Sequence, residues 1–379
     1  MTRALGHREA RRAEALESFR VRGMPHRRFE HWRYSDLRAV LDAGQVAQAG
    51  TAHWSIAALP DGVEMFDLSK PNAPEWVMQA YGTIGNRPTM EEASLAFADG
   101  GVALRVPAGK TIAEPIALQI SGGGNLRWLI VMEKGASATI FEPHGKDVGL
   151  LRNVGVDIAL GEEALLNHIR VAPFTPKSFI IEHIAVAISA KAQYRAHFAN
   201  FGSRLSRTEL HITLGGEHAE AHLSGVTVLG TEGHADVTTH IEHASGKTTS
   251  TQLFKHVAGG KSRAVYQGKI TVREGANGSD SRQTARALLL SERAEADMKP
   301  ELIIFADDVK CAHGATAGDL DPESLFYMRS RGIPEKEARQ ILISAFLQEA
   351  VDTIGSEALR ATIWQEVETA LPRAMESAK

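Results

Sequence analysis

Cys311 and His313 are the residues of this chain best placed to do chemistry. Cys311 is the only cysteine, and His313 follows it by two positions in the stretch DVKCAHGATAG, residues 308–318. If residues 310–313 are extended, the thiol and the imidazole emerge on one face of a strand and Ala312 on the other. Such a pair can begin a soft-metal site. It cannot complete one, because iron–sulfur clusters and structural zinc usually take about four protein ligands. Iron or a cluster held at His313 and Cys311 must therefore be shared with another chain or exposed for transfer. A lone cysteine is also commonly a small buried hydrophobe, and the two residues alone leave both readings open.

Other constellations carry less. The chain has 16 histidines, and seven of them gather in one region: His211, His218, His222, His234, His240, His243 and His256. Imidazoles on neighbouring strands can hold zinc or iron, so a free-standing metal-dependent β enzyme using this cluster is a reading to set against any other. No Asp or Glu stands in a recognisable ligand spacing with them. Glu274, Asp280 and Glu292 are too scattered to supply the carboxylate pair of a sugar-active enzyme. The glycine-rich stretches 121–125 and 259–262 lack the G-x-x-x-x-G-K-[ST] spacing that lets backbone amides cradle phosphate. No bound nucleotide and no ATPase activity of the chain's own are expected.

The elements that must position Cys311 and His313 change texture twice along the chain. Its 379 residues, 43% hydrophobic and 23% charged, suffice for a large core and two or three units. Residues 1–95 read as helical and irregular, with a helical piece at Glu75–Tyr81 ended by Gly82. Ten of the chain's arginines and five acids fall in residues 1–40, giving +5 against a net charge of −4 for the whole. The spacing Ala10, Ala13, Leu16, Phe19 makes this an amphipathic helix, with Arg11 and Glu14 able to pair, rather than a nucleic-acid arm. A single cysteine rules out an intramolecular disulfide and suits a reducing compartment. No run approaches ~18 apolar residues, and the first residues lack the apolar core of a secretory signal. A cytoplasmic protein with neither membrane nor nucleic acid as partner is expected.

From residue 96 to 315 the pattern is short alternating runs broken by Gly, Asn and Asp. Leu210, Ile212 and Leu214 alternate with His211 and Thr213. Ala219, Ala221 and Leu223 follow, then Val226 and Val228, then Ala235, Val237, Thr239 and Ile241. Helical periodicity is nearly absent for about 200 residues, which excludes α/β alternation and leaves a sandwich, a barrel or a solenoid. Small residues in the runs favour stacked coils about 4.8 Å apart, yet no strict repeat is visible.

Residues 316–379 turn helical with clear punctuation. Asp321 can cap a helix opened by Pro322 and stopped at Gly332. Pro334 opens a second, with Ala338, Ile341, Leu342, Ala345 and Phe346 on one apolar face. Ser356 caps a third, with Leu359, Ile363, Val367 and Leu371 every four residues. So small a bundle has little interior, so part of one face is left for a partner.

These residues also carry a family resemblance. Residues 311–316 (CAHGAT), then 325–333 (LFYMRSRGI), resemble the carboxy-terminal block of the SufB/SufD family. Leu288–Ser291, Pro300–Leu302 and Asp307–Val309 look like its last core strands. Gly23-Met24-Pro25 and Glu30–Leu37 (EHWRYSDL) are similar to its amino-terminal motif. The matches spread over most of the chain and are densest from about 280 to 350. Arg286-Ala287 and Ala317 depart from the pattern without touching the Cys/His pair. The resemblance implies a right-handed parallel β-helix flanked by helical regions, and a non-catalytic scaffold for iron–sulfur cluster assembly. It implies pairing with a SufB-like homologue and a SufC-like ABC ATPase, or a homodimer when those partners are absent. It further implies that His313 binds the nascent cluster or iron, with Cys311 in a lesser role. The ATPase would dock on the helical end around Leu325, Phe326, Tyr327 and Phe346, and removing residues 321–379 should then cost docking while leaving the β core folded.

Overall fold

The computed structural model describes residues 2–84 and 89–377, with side chains from residue 8 onward; the side chain of Arg3 and the closing residues 378–379 of the expected helical unit lie outside that description. Two nine-stranded sheets face each other across a hydrophobic core. One sheet runs β2 (Glu64–Asp67), β3 (Gly100–Val106), β5 (Gly124–Met132), β7 (Leu151–Leu160), β9 (Thr175–Ile188), β11 (Ser203–Leu214), β13 (His234–His243), β15 (Arg263–Val272) and β17 (Glu295–Ile304). The other runs β1 (His53–Ile56), β4 (Ile116–Ser121), β6 (Ser137–Pro143), β8 (Leu165–Ala172), β10 (Gln193–Asn200), β12 (Glu220–Leu229), β14 (Thr249–Ala258), β16 (Ser279–Leu289) and β18 (Val309–Gly318). From β3 onward, odd strands lie beside odd and even beside even. That order makes a parallel β-solenoid of about eight coils, each giving one strand to each sheet. Only β1 and β2, at the amino-terminal edges, pair antiparallel. Residues 1–95 were expected to be helical and irregular; each of these two strands is only four residues long, too short to show a period of two.

Alternation does the folding in the coils. Leu210, Ile212, Leu214, Ala221, Leu223, Val237 and Ile241 all point into the space between the sheets. Val226 and Val228 break parity with Leu223 and belong instead to a second core on the outer side of β12. The helices that cover this side are α6 (Glu335–Val351) and α7 (Glu357–Glu376).

A repeat does exist, in the backbone. Gly109, Gly135, Glu163, Lys191, His218 and Lys247 all have φ between 56° and 68°, at intervals of 26–29 residues. Each occupies the left-handed corner of one coil. In successive coils their amides reach over to the next, as from Gly135 to the Glu162 carbonyl and from Glu163 to that of Ala190, both at 2.8–3.0 Å. Glycine takes this conformation freely, whereas Glu, Lys and His accept it at a cost of about 1 kcal/mol each. The conformation is periodic and the residue type is not.

At the amino end, α1 (Thr2–Arg22) packs on α4 (Thr89–Phe97), which lies across β5, β7 and β9; short α2 (Ala43–Ala47) and α3 (Glu75–Ala80) fill in beside them. Gly82 follows α3 with φ 64°, as its sequence position suggested. The buried face of α1 is not the expected one: Ala10 and Ala13 are exposed, while Ala15 and Phe19 are buried. Arginines share the inner face because their guanidiniums meet carbonyl oxygens there. Arg8 donates to Leu68 and Lys70, Arg11 to Gly82 at 2.7 Å and Arg12 to Ala96 at 3.2 Å.

Past the solenoid, Asp321 caps α5 (Pro322–Ser330) through the amides of Glu323 and Ser324, and Gly332 follows with φ 86°. Ser356 caps α7, whose Leu359, Ile363, Val367 and Leu371 are all buried. In α6 the buried line is Ala338, Ile343, Leu347 and Ala350, whereas Ile341 and Ala345 are exposed. Apolar residues wrap much of this helix, so its pattern permitted two faces; contact with β12, β14 and α7 selected one.

Candidate functional site at the open end of the solenoid

Strand β18 is the last of its sheet, and β17 is the last of the other. β18 runs parallel to β16 with Cys311 beside Ser281 and His313 beside Gln283. Ser281, Gln283 and Ala285 are buried inward-facing residues, so Cys311 and His313 share their face, as the two-residue spacing requires. No further coil stacks on them. Side chains that would be interior in any other coil therefore stand at an open end.

The two differ in setting. The Cys311 thiol is half-buried against the cluster of Ile270, Val272 and Ala276. Burial, and then the Asp280 carboxylate, push its pKa up, so the thiol keeps its proton at neutral pH. His313 is exposed. A neutral imidazole is a competent ligand for iron or zinc, whereas a protonated, part-packed thiol is a poor one until a metal displaces its proton. Cys311 thus packs like a small hydrophobe, two residues from an exposed imidazole.

Behind His313 the interior is polar. Gln283 is 1% exposed, and its amide nitrogen and oxygen have no hydrogen-bond partner among the described residues. Tyr266 Oη donates to Gln252 Oε1 at 3.0 Å, and Thr239 Oγ1 reaches the same oxygen at 2.6 Å. Gly268 makes room for this group. A Cβ there would fall 1.9 Å from Gln283 Nε2 and 2.6 Å from Tyr266 Oη.

The remaining candidates separate in space. Phe326 and Tyr327 are 72% and 58% exposed on α5, which buries none of its residues, and Leu325 beside them is half-buried. Phe346 is half-buried in the core under α6, with Lys255 Nζ 4.5 Å from its ring centre. The seven histidines do not converge. His211 and His240 meet edge to face on the outer face of one sheet, their ring centres 5.5 Å apart. His222 faces outward from the other sheet, paired with Glu220, and His243 and His256 are buried. His234 bonds Ser35, and His218 forms a coil corner. Among the described residues no three of the seven form a ligand group, so the metalloenzyme reading loses its site. Glu274 and Glu292 are exposed in turns after β15 and β16, and residues 259–262 form the turn before β15.

The docking of one motif and the presence of one buried group went unread in the sequence. The EHWRYSDL segment docks on the solenoid wall: Arg207 lies 4.2 Å from the Trp32 ring and 2.5 Å from Asp236, which also accepts from Ser35 Oγ. The buried group is that of Glu142, His144, His168 and Glu182, whose only sequence signal is charge at inward positions of otherwise apolar strands.

Residues 119–346 match the family described as the SufBD core domain of the SUF system for FeS cluster assembly. The chain is 28% identical to the iron–sulfur cluster assembly protein SufD of Escherichia coli, covering 92% of this chain and 90% of that protein. It is 29% identical to a SufBD family iron–sulfur cluster assembly protein of Synechocystis, covering 93% and 88%. Over 67% of this chain it is 30% identical to the chloroplastic protein ABCI7 of Arabidopsis thaliana, 57% of which is covered.

Proposed function

The chain belongs to the SufB/SufD family of iron–sulfur cluster assembly proteins, and we propose that within it the protein is a non-catalytic scaffold subunit, resembling SufD, that works in the cytoplasm. The observation that carries this reading is the placement of Cys311 and His313 at the one end where β17 and β18 have no neighbour. An unpaired strand edge is a template for another chain. A SufB-like homologue with an open end of its own can add strands there and bring further ligands beside His313. The nascent cluster, or its iron, is the cargo, and His313 supplies one ligand with Cys311 in support. Without that homologue, a second copy can take the same edge.

Force for the assembly would come from a SufC-like ATPase. Phe326 and Tyr327, left bare on a helix that buries nothing, are the docking contacts, with Leu325 beside them on α5 and Phe346 apart on α6. The test is co-purification after joint expression with SufB-like and SufC-like chains. The tagged protein should retain both in a stable complex. A protein that retains neither is not such a subunit.

A further inference from the structure

A second donor group lies inside the solenoid toward its amino-terminal end, far along the chain from His313. Glu142 on β6, His144 just beyond that strand and Glu182 on β9 each offer a ligand atom, and these atoms lie within 4.8 Å of one another. His168 on β8 joins them, its Nε2 3.0 Å from Glu142 Oε2. None of the four is more than 5% exposed. Inward parity put them there: Glu142 continues the line of Ala138 and Ile140, His168 that of Leu166, and Glu182 precedes Ile184 and Val186.

Hydrogen bonding within the group does not close. His144 Nε2 is 2.8 Å from Glu142 Oε1 and 3.3 Å from Glu182 Oε1. One N–H thus faces oxygens of two carboxylates, and its other nitrogen, Nδ1, is buried without a hydrogen-bond partner among the described residues. Trp128 gives Glu142 Oε1 a second donor, so Glu182 Oε1 is the oxygen less well served by that one proton, and a metal ion between the carboxylates would serve both.

The surroundings hold each donor in place. Trp128 Nε1 donates to Glu142 Oε1 at 3.1 Å. Arg170 Nη1 lies 2.6 Å from Glu182 Oε2, the oxygen that also accepts from Thr208 at 3.2 Å, and Glu182 Oε1 is left facing the group. Tyr194 Oη is 2.9 Å from His168 Nδ1, so a tautomer shift frees Nε2 for a metal while the Nδ1 bond persists. Outer contacts of this kind fix ligand orientation at metal sites. Arg170 also balances one carboxylate, so the group is no acidic sink for calcium or magnesium. Two imidazole nitrogens with carboxylate oxygens suit a borderline ion instead. Lys146 and Asp147, the second and third residues after His144, are exposed, so only a short turn separates the group from solvent.

The geometry points to a binding site for one divalent first-row transition-metal ion, of the iron, cobalt and zinc class, held by Glu142, His144, His168 and Glu182. It is independent of the scaffold role and of the open end. The test is titration of the chelator-treated, full-length protein with Co²⁺, followed by the visible ligand-field bands of a bound N/O site and by displacement with Zn²⁺ and, without oxygen, Fe²⁺. About one Co²⁺ per chain is expected. His144→Ala should abolish the bands, and Glu182→Gln, which keeps shape and size, should weaken binding by more than about tenfold. His313→Ala and Cys311→Ser should leave the bands intact. Should His144→Ala fail to fold, Glu182→Gln decides. A chain that takes up no Co²⁺ with these bands overturns the site, as do bands unchanged in the folded Glu182→Gln protein or lost in His313→Ala.

Discussion

At the scale of single residues, Cys311 and His313 share a strand face and differ in what surrounds them. Burial and Asp280 hold the Cys311 thiol protonated, so its alkylation by iodoacetamide at pH 8 should run slower than that of a small free thiol and climb as pH passes 9. A rate equal to the free thiol would mean that Cys311 is not packed. Arg207 is a different kind of residue: fully buried, it pairs with Asp236 and Glu209 under Trp32. Arg207→Ala leaves two buried carboxylates without their cation and should destabilise the fold by about 3–5 kcal/mol, read from urea unfolding. The Cys/His pair was legible because period-two geometry follows from spacing alone. Arg207 was not, because its partners are up to 175 residues away in sequence and only the coil register brings Trp32, Ser35 and Asp236 together.

Among the elements, the strands of the solenoid could be read from alternation, and the carboxy-terminal helices from their caps. The repeat could not, since Gly135, Glu163, Lys191 and His218 serve one backbone corner with four residue types. Nor could the face of α6, which only its neighbours define. This bears on the helical end as a whole. α6 and α7 cover Val226, Val228, Val257 and Leu290, so removing residues 321–379 would bare the outer core of the sheet instead of leaving the β core intact. Helix α5 is the separable part. Phe326→Ala with Tyr327→Ala should lower ATPase retention at least severalfold while the melting temperature stays within a few degrees, because neither side chain is buried. Full retention by the double variant would put the docking surface elsewhere.

For the whole molecule, the buried imidazoles set a pH response. Burial alone lowers the pKa of His197 to about 3 and of His256 to about 4. Between pH 6.5 and about 4 the unfolded chain binds protons that the folded chain refuses, so stability falls as pH falls through that window. Each of these imidazoles contributes on the order of 3 kcal/mol to the loss. The lowered carboxylates Glu142 and Glu209 add the same sign only below about pH 4.5. Urea midpoints at pH 7.5 and 5 should therefore differ, and His256→Gln should shrink the difference; an unchanged difference would mean that His256 does not titrate on unfolding. No helix among the described residues is long and apolar enough to cross a membrane. The wound coils end in two open strands and one exposed imidazole, and this end is where a shared cluster would sit. The most direct measurement is the iron and sulfide content of the three-subunit complex purified with His313→Ala in place of the native chain. If His313 supplies a ligand, all three subunits still co-purify and most of the cluster is lost, with Cys311→Ala losing less. Normal cluster content in the His313→Ala complex would contradict it.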